Sequence, residues 1–348
     1  MLRISIGSDR ALISRVGIVR TILLAMVLSN TCSYAEDEVW DITKPKGNSR
    51  IIEFTTDEVT ASSVDITPDG QWIIFDQLAH INRVPATGGE SEILTQDSGI
   101  ATNMHPRVSP DGKEIAFISD RGGNNHIWIM GLDGSNPRQL HDDINQCVFD
   151  PTWTPDGKSI VVRKQAVCHR GTDMTEGLWI FEVATGKGKA IVSGNASSPS
   201  VSPDGKYVYF TMTTCPGDPP AYLSDFLRGC QQIQRLELAT GEIKPFTSGK
   251  TVSTWVNNSN GGAIEPRVSP DGRWLAFARR ISDGTVKYKG HEYGPRTALW
   301  LRNLEDGSEQ LLMDPITTDG SEQTGYAAPL IPHYSWSSDS RSMVLSEG

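Results

Sequence analysis

Ser63, His105, Asp150, Ser198, Glu265 and His333 each stand four positions before a recurring turn phrase. Constant spacing puts them at equivalent points of a repeat, so repeats arranged in a ring would bring them to one opening. Two imidazoles and two carboxylates there (His105, Asp150, Glu265 and His333) could hold a divalent metal or a cationic group, since both ligand types suit such ions. A solvated polar ring, with His105–Asp150 and Glu265–His333 as neighbouring pairs, accounts for the same residues without a cation. Spacing around a ring does not set ligand distances. No other cofactor is implied. The sequence contains no Gly-x-Ser-x-Gly elbow, His-Glu-x-x-His pair, phosphate-binding loop or EF-hand loop, so no catalytic residue is assigned.

The turn phrase is Ser/Thr-Pro-Asp-Gly, beginning at Thr67, Ser109, Thr154, Ser202 and Ser269, with a degraded copy Ser337-Ser338-Asp339-Ser340. Its central Asp recurs after 42, 45, 48, 67 and 68 residues. A period of this size is that of a four-stranded propeller blade, with insertions in the two longer gaps. Pro presets φ for a type I turn and Gly accepts the left-handed position after it. The phrase therefore reads as a hairpin corner; a nucleophile would not be copied five times. Segments after it, such as "KEIAFIS", "KYVYFTM" and "RWLAFAR", are short, β-branched and aromatic, as strands are.

The spacing predicts an all-β, six-bladed propeller of four-stranded antiparallel blades over 50–348. Its last blade is incomplete at the C-terminus and closed by the N-terminal strand "RIIEF" at 50–54. Trp128, Trp179 and Trp300 fall at one C-strand position, Trp153 and Trp336 at one A-strand position, which reads as packing between blades. Strand A is innermost, so A–B and C–D turns lie on one face and B–C and D–A connections on the other. The first set is short. The second is long, at 165–177, 213–230 and 281–297 (B–C) and 141–150, 248–264 and 314–333 (D–A), and loops longer than connection requires often carry function. Trp255, Tyr222, Tyr288, Tyr293 and Tyr326 lie in these insertions and could form a partner surface, or cover one another as a satellite cluster.

Residues 1–35 read as a signal peptide: Arg3, Arg10, Arg15 and Arg20 precede the apolar "ILLAMVL", and Ser33-Tyr34-Ala35 offers small residues for cleavage. Cys32 as a lipidated first residue is the alternative, weakened by the preceding "SNT". Residues 36–49 are a linker. Cleavage would take the net charge from −10 to −13, which argues against nucleic acid or an anionic membrane surface as partner. The absence of an 18-residue apolar run argues against stable membrane insertion. Cys147, Cys168, Cys215 and Cys230 remain, an even number that favours disulfides in an exported chain, with three connectivities open.

The segment "SPDGKEIAFISDRGGNNHIWIMGLDGSNPRQL" resembles the TolB-like propeller repeat, a relative of WD-type blades. The opening "VWDITKPKGNSRIIEFTTDEVTASSVDITPDGQWIIFD" is most similar to the N-terminal propeller of secreted amidohydrolase-type proteins. The resemblance implies an exported (periplasmic or extracellular), non-catalytic module that binds a protein or peptide on its looped face or gates substrate. Such a module is either an interaction protein in its own right or the N-terminal part of a longer chain that continues past Gly348 into a metal-dependent hydrolase. The rival expectations are a small-ligand or divalent-cation-binding protein using the channel mouth, and a hydrolase with an unrecognised site.

Overall fold

The structure is a computed structural model that describes residues 62–346 apart from 142–146, 166–174, 214–230, 248–262, 289–290 and 314–332, with scattered positions between 41 and 56. Side chains of 280–297 lie outside this description, as do residues 1–40 and 51–55. The signal-peptide reading, Cys32 and the closing strand at 50–54 therefore fall outside the described residues, apart from Arg50.

Antiparallel strands follow each other in chain order within each sheet. Blade one is β1 (Val64–Ile66), β2 (Trp72–Gln77), β3 (His80–Pro85) and β4 (Glu92–Ile93). Blade two is β5 (Asn103–Val108), β6 (Glu114–Ser119), β7 (His126–Gly131) and β8 (Arg138–Gln139). Blade three is β9 (Cys147–Trp153), β10 (Ser159–Gln165), β11 (Thr175–Glu182) and β12 (Gly188–Ser193). Blade four is β13 (Ala196–Val201), β14 (Tyr207–Thr213), β15 (Gln231–Glu237) and β16 (Ile243–Pro245). Blade five is β17 (Ala263–Val268), β18 (Trp274–Tyr288), β19 (His291–Asn303) and β20 (Glu309–Met313). The sixth repeat forms only a two-stranded sheet, β21 (Tyr334–Trp336) with β22 (Met343–Leu345). The expected count of six blades is thus corrected: the described residues form five. A turn phrase makes an A–B corner, but a blade also needs strands C and D.

Each corner is held by its own side chains. In blade two Ser109 Oγ donates to Asp111 Oδ1 at 2.7 Å, accepts from Glu114 N–H at 2.9 Å, and Gly112 N–H closes on Ser109 O at 2.9 Å. The degraded sixth corner keeps this arrangement, with Ser340 taking the left-handed place of Gly at φ 60°. Strand B then buries an aromatic ring at one register: Phe117, Phe210 and Phe277 are fully buried. Adjacent blades share their apolar faces. Ile74 and Ile81 of blade one pack with Phe117 and Met130 of blade two, with Trp128 against them.

Two pairs of equivalent contacts link blades near the axis. Trp153 Nε1 donates to Arg107 O, and Trp336 Nε1 to Arg267 O, each at 3.0 Å. Asp65 Oδ2 accepts Val108 N–H at 2.8 Å, and Ser200 Oγ accepts Val268 N–H at 3.0 Å. Ser335 of the two-stranded sheet donates to Asp65 of blade one, and Ser346 Oγ to Ser62 O, so the last sheet meets the first.

The expected B–C loop at 281–297 is corrected as well. Strands β18 and β19 run on through it, pairing Lys287 with Glu292 and Tyr288 with His291 after an irregularity between Arg280 and Thr285. Val286, Tyr288, Tyr293 and Thr297 supply the β-branched and aromatic content that favours extension.

Candidate functional site: the inner rim of the channel

The six rim residues lie on the innermost strands or beside them, at the end opposite the A–B corners. Four of them share a backbone feature. His105, Asp150, Ser198 and Glu265 have φ of 55°, 54°, 50° and 56°, and each precedes proline. Ser63 and His333 do not precede proline and do not share that φ. Proline disfavours the right-handed helical region for the residue before it, and the strands turn instead through a left-handed bulge. Register breaks sit at these points, between Met104 and Arg107, Ser197 and Ser200, and Ile264 and Arg267. In these four blades strand A therefore begins before the rim residue, which lies at a bulge within the strand, whereas Ser63 and His333 directly precede β1 and β21. A non-glycine residue held so costs on the order of 1–2 kcal/mol. Repeated outliers at one ring are a pointer to function.

Side chains of strand B anchor the rim of their own blade and of the next. Asp76 accepts Ser63 N–H and His105 N–H, both at 2.7 Å, and Thr211 Oγ1 accepts Glu265 N–H at 3.1 Å. His105 Nδ1 lies 3.6 Å from Asp150 Oδ1, and Arg163 Nε lies 3.2 Å from Asp150 Oδ2 without hydrogen-bond alignment. Burial opposes ionisation of Asp150, but Arg163, His105 and the Ser198 amide outweigh it and hold the carboxyl below its usual range. Glu265 Oε1 accepts from Ser198 Oγ at 2.8 Å, and its Oε2 lies 3.4 Å from Arg267 Nη2. The rings of His105 and His333 are 6.3 Å apart. Burial pushes His333 below the usual imidazole range, with Glu265 pulling the other way.

The expected partners are thus brought together in part. His105 meets Asp150 as paired, and His333 lies in reach of both His105 and the charge of Glu265. Among the described residues no group of three or more His, Cys, Asp or Glu converges on a point that could hold a metal ion. Two residues that sequence reading passed over share this channel: Arg107 and Arg267, at one position in blades two and five. Each donates Nη1 to the carbonyl of the proline before it, at 2.9 and 3.0 Å. Burial, then the nearby Arg267, pulls the Arg107 pKa below its usual value. The signal was present in the sequence, since both arginines open the near-identical phrases "RVSPDGKEIAF" and "RVSPDGRWLAF".

The remaining site expectations are placed less fully. Tyr288 ends β18 and Tyr293 lies in β19, their side chains outside the description; Trp255, Tyr222 and Tyr326 lie outside the described residues. Cys147 is buried at the start of β9, whereas Cys168, Cys215 and Cys230 lie outside the described residues. Trp128, Trp179 and Trp300 pack between blades, each beneath a cation: Arg121 at 4.8 Å, Lys164 at 3.5 Å and Arg279 at 5.5 Å from the ring centroid. Among the described residues no helix is long and apolar enough to cross a membrane.

Comparison with known proteins gives the same architecture. The family described as "PD40: TolB beta propeller domain" matches residues 46–246. The Tol-Pal system protein TolB of Francisella tularensis subsp. mediasiatica is 36% identical over 201 residues, covering 43% of this chain and 45% of that protein. An uncharacterized peptidase of Bacillus subtilis, YuxL, is 29% identical over 211 residues, covering 60% of this chain and 25% of that protein. The match thus spans less than half the length of these curated relatives. Among solved structures, a putative TolB from Agrobacterium tumefaciens aligns with TM-score 0.53 at 19% identity, covering 72% of this chain and 79% of that one. An oligogalacturonate lyase in complex with manganese aligns with TM-score 0.52 at 12% identity, covering 81% and 72%. At such identities these two likenesses concern the fold alone.

Proposed function

The chain belongs to the TolB β-propeller domain family, and on that premise we propose that it is an exported, non-catalytic interaction module. Its partner is a protein or peptide that docks on the face where the rim residues open the channel. One observation carries this reading: the two ends of strand A are built differently. At the corner end, short turns satisfy their own hydrogen bonds, as Ser109, Asp111 and Gly112 do. At the rim end, four residues are held in left-handed conformation, with the side chains of His105, Asp150 and Glu265 partly exposed and Ser198 buried among them. Strained polar groups kept at one end, in four blades, favour recognition there over simple packing.

Three further parts of the proposal concern its setting. Disulfide bonding fits an exported module and is supported by the burial and bonded state of Cys147. Service to a larger hydrolase is supported by the peptidase-named relative, of which the match covers a quarter. A rim that holds a divalent cation stands as the weaker alternative, because among the described residues no three such ligands converge and the rim carboxylates already face arginines.

The test is affinity capture with crosslinking from cells that produce the protein. A channel-end variant, His105→Ala with Glu265→Gln, is compared with a corner-end variant, Lys113→Glu with Lys206→Glu. Loss of the captured partner in the first and its retention in the second is expected. The reverse pattern would overturn the assignment of the docking face.

A further inference from the structure

Blades one, two and four close the end of their outermost strand in the same way. Thr95, His141 and Thr247 each stand two residues beyond that strand, and each lies 14 residues after an isoleucine of strand C. In every pair the side chain of the later residue accepts the amide of the isoleucine. Thr95 Oγ1 accepts Ile81 N–H at 3.0 Å, Thr247 Oγ1 accepts Ile233 N–H at 2.9 Å, and His141 Nε2 accepts Ile127 N–H at 3.4 Å. All three isoleucines are fully buried. The residue before each isoleucine reaches the same spot. His80 Nδ1 lies 3.2 Å from Thr95 Oγ1, Gln232 Oε1 accepts from Thr247 Oγ1 at 2.9 Å, and the His126 ring meets that of His141 edge-on at 5.0 Å. Of the three blades, blade two alone has an ionisable group in the accepting place.

A hydroxyl accepts a hydrogen bond at any ordinary pH, but an imidazole accepts only through a nitrogen that carries no hydrogen. By accepting at Nε2, His141 is held neutral with its hydrogen on Nδ1. A second proton would go to Nε2 and face the Ile127 amide, leaving a buried N–H without its acceptor. The same proton would set a positive charge beside the buried His126 and beneath Phe181 of β11, whose ring stacks on His141 at 4.7 Å. Charged groups of the surrounding strands are engaged elsewhere. Arg138 of β8 faces Glu114 of β6 at 3.4 Å, Lys164 of β10 faces Glu176 of β11 at 3.7 Å, and Asp150 of β9 faces Arg163 and His105. Arg121, after β6, donates to Asn103 Oδ1 at 2.7 Å, and the exposed Glu182, next to Phe181, accepts from Thr185 Oγ1 at 2.9 Å. Asp142 and Asp143, which follow His141, lie outside the described residues. We propose that His141 is a proton-operated latch between blades two and three. Neutral, it caps the start of β7 and stacks on blade three; protonated, it releases Ile127. The effect reaches the rim through β9, where Val148 donates its amide to Asn125 O at 3.0 Å, because β9 also carries Asp150. The latch rests on blade packing and operates whether or not a partner docks.

Amide hydrogen exchange on the whole chain at pH 7.5 and 5.5 tests the latch, with each rate divided by its intrinsic rate at that pH. Protection of the Ile127 amide should fall by about tenfold or more on acidification, as loss of a buried hydrogen bond does. The Ile233 amide, capped by a threonine beside a glutamine, is the internal control and should fall far less. His141→Thr installs the cap of blades one and four and should abolish the pH response at Ile127 while keeping its protection. If that variant does not fold, His141→Gln supplies a carbonyl acceptor that does not titrate and should give the same result. His333→Gln should leave the response at Ile127 in place, which separates the latch from titration at the rim. The latch is refuted if Ile127 loses no more protection than Ile233, or if the His141 variant keeps the wild-type response.

Discussion

His333 shows how a single rim residue couples the channel to pH. Burial holds its folded pKa below 6.5, so the unfolded chain binds this proton more readily. The stability it contributes is complete above pH 6.5 and is lost as pH falls from there through the folded value. Urea unfolding at pH 7.5 and 5.5 should show wild type losing more stability than His333→Gln over that interval. The corner acids act lower on the scale. The hydroxyl of Ser109, then the Lys113 amide, holds Asp111 below its ordinary 3.8, so this contribution persists above that pH and disappears on further acidification. Ser109→Ala removes a buried hydroxyl that serves both Asp111 and Glu114 N–H, and should cost about 1 kcal/mol in the same assay. At this scale the sequence showed the corner chemistry fully, because Ser/Thr-Pro-Asp-Gly satisfies itself locally. It showed the rim positions and the His105–Asp150 pairing, but not Arg163 and Arg267, which face Asp150 and Glu265 from other positions. The His-Pro, Asp-Pro, Ser-Pro and Glu-Pro pairs were the readable sign of the left-handed bulge.

Strands carry the energy of the assembly. Phe117 in β6 is fully buried between blades one and two, so Phe117→Ala should lower stability by about 3–5 kcal/mol, read as a shift in the denaturant midpoint. Gly186 in the C–D turn of blade three has φ 68°, and a Cβ there would stand 2.1 Å from Leu140 O of blade two. Gly186→Ala therefore meets both a conformational and a steric penalty, and should destabilise by about 2 kcal/mol or more. Gly205, in the A–B corner of blade four, has nothing within 4 Å of its Cβ position, so its alanine variant should cost less. Strand identity was legible wherever β-branched and aromatic residues alternated after a corner. It failed at 281–297, where Ser282-Asp283-Gly284 reads as a turn while pairing across β18 and β19 continues past it. Local turn chemistry was outweighed there by cross-strand pairing, which a linear reading does not contain.

The ring as a whole depends on its thinnest sector. Trp336 Nε1 ties β21 to blade five, and Ser335 and Ser346 tie the two-stranded sheet to blade one. On its outer side an apolar groove is lined by Trp274, Leu301, Trp336 and Met343. Amides of β21 and β22 should exchange with deuterium faster than those of β6, β10 and β14, since few buried contacts protect them. Counting corners gave six repeats correctly but overstated the blades, because a corner requires two strands and a blade four. The two-faced disc rests on the order of strands, which each four-stranded sheet keeps; most of the long connections expected on one face lie outside the described residues. Partners are expected to engage the rim end of that disc. A hydrogen-exchange footprint of the protein with its captured partner measures this directly. Protection at residues 103–107 and 263–267, with the corners at 109–112 and 269–272 unchanged, is the predicted result; protection confined to the corners would contradict it.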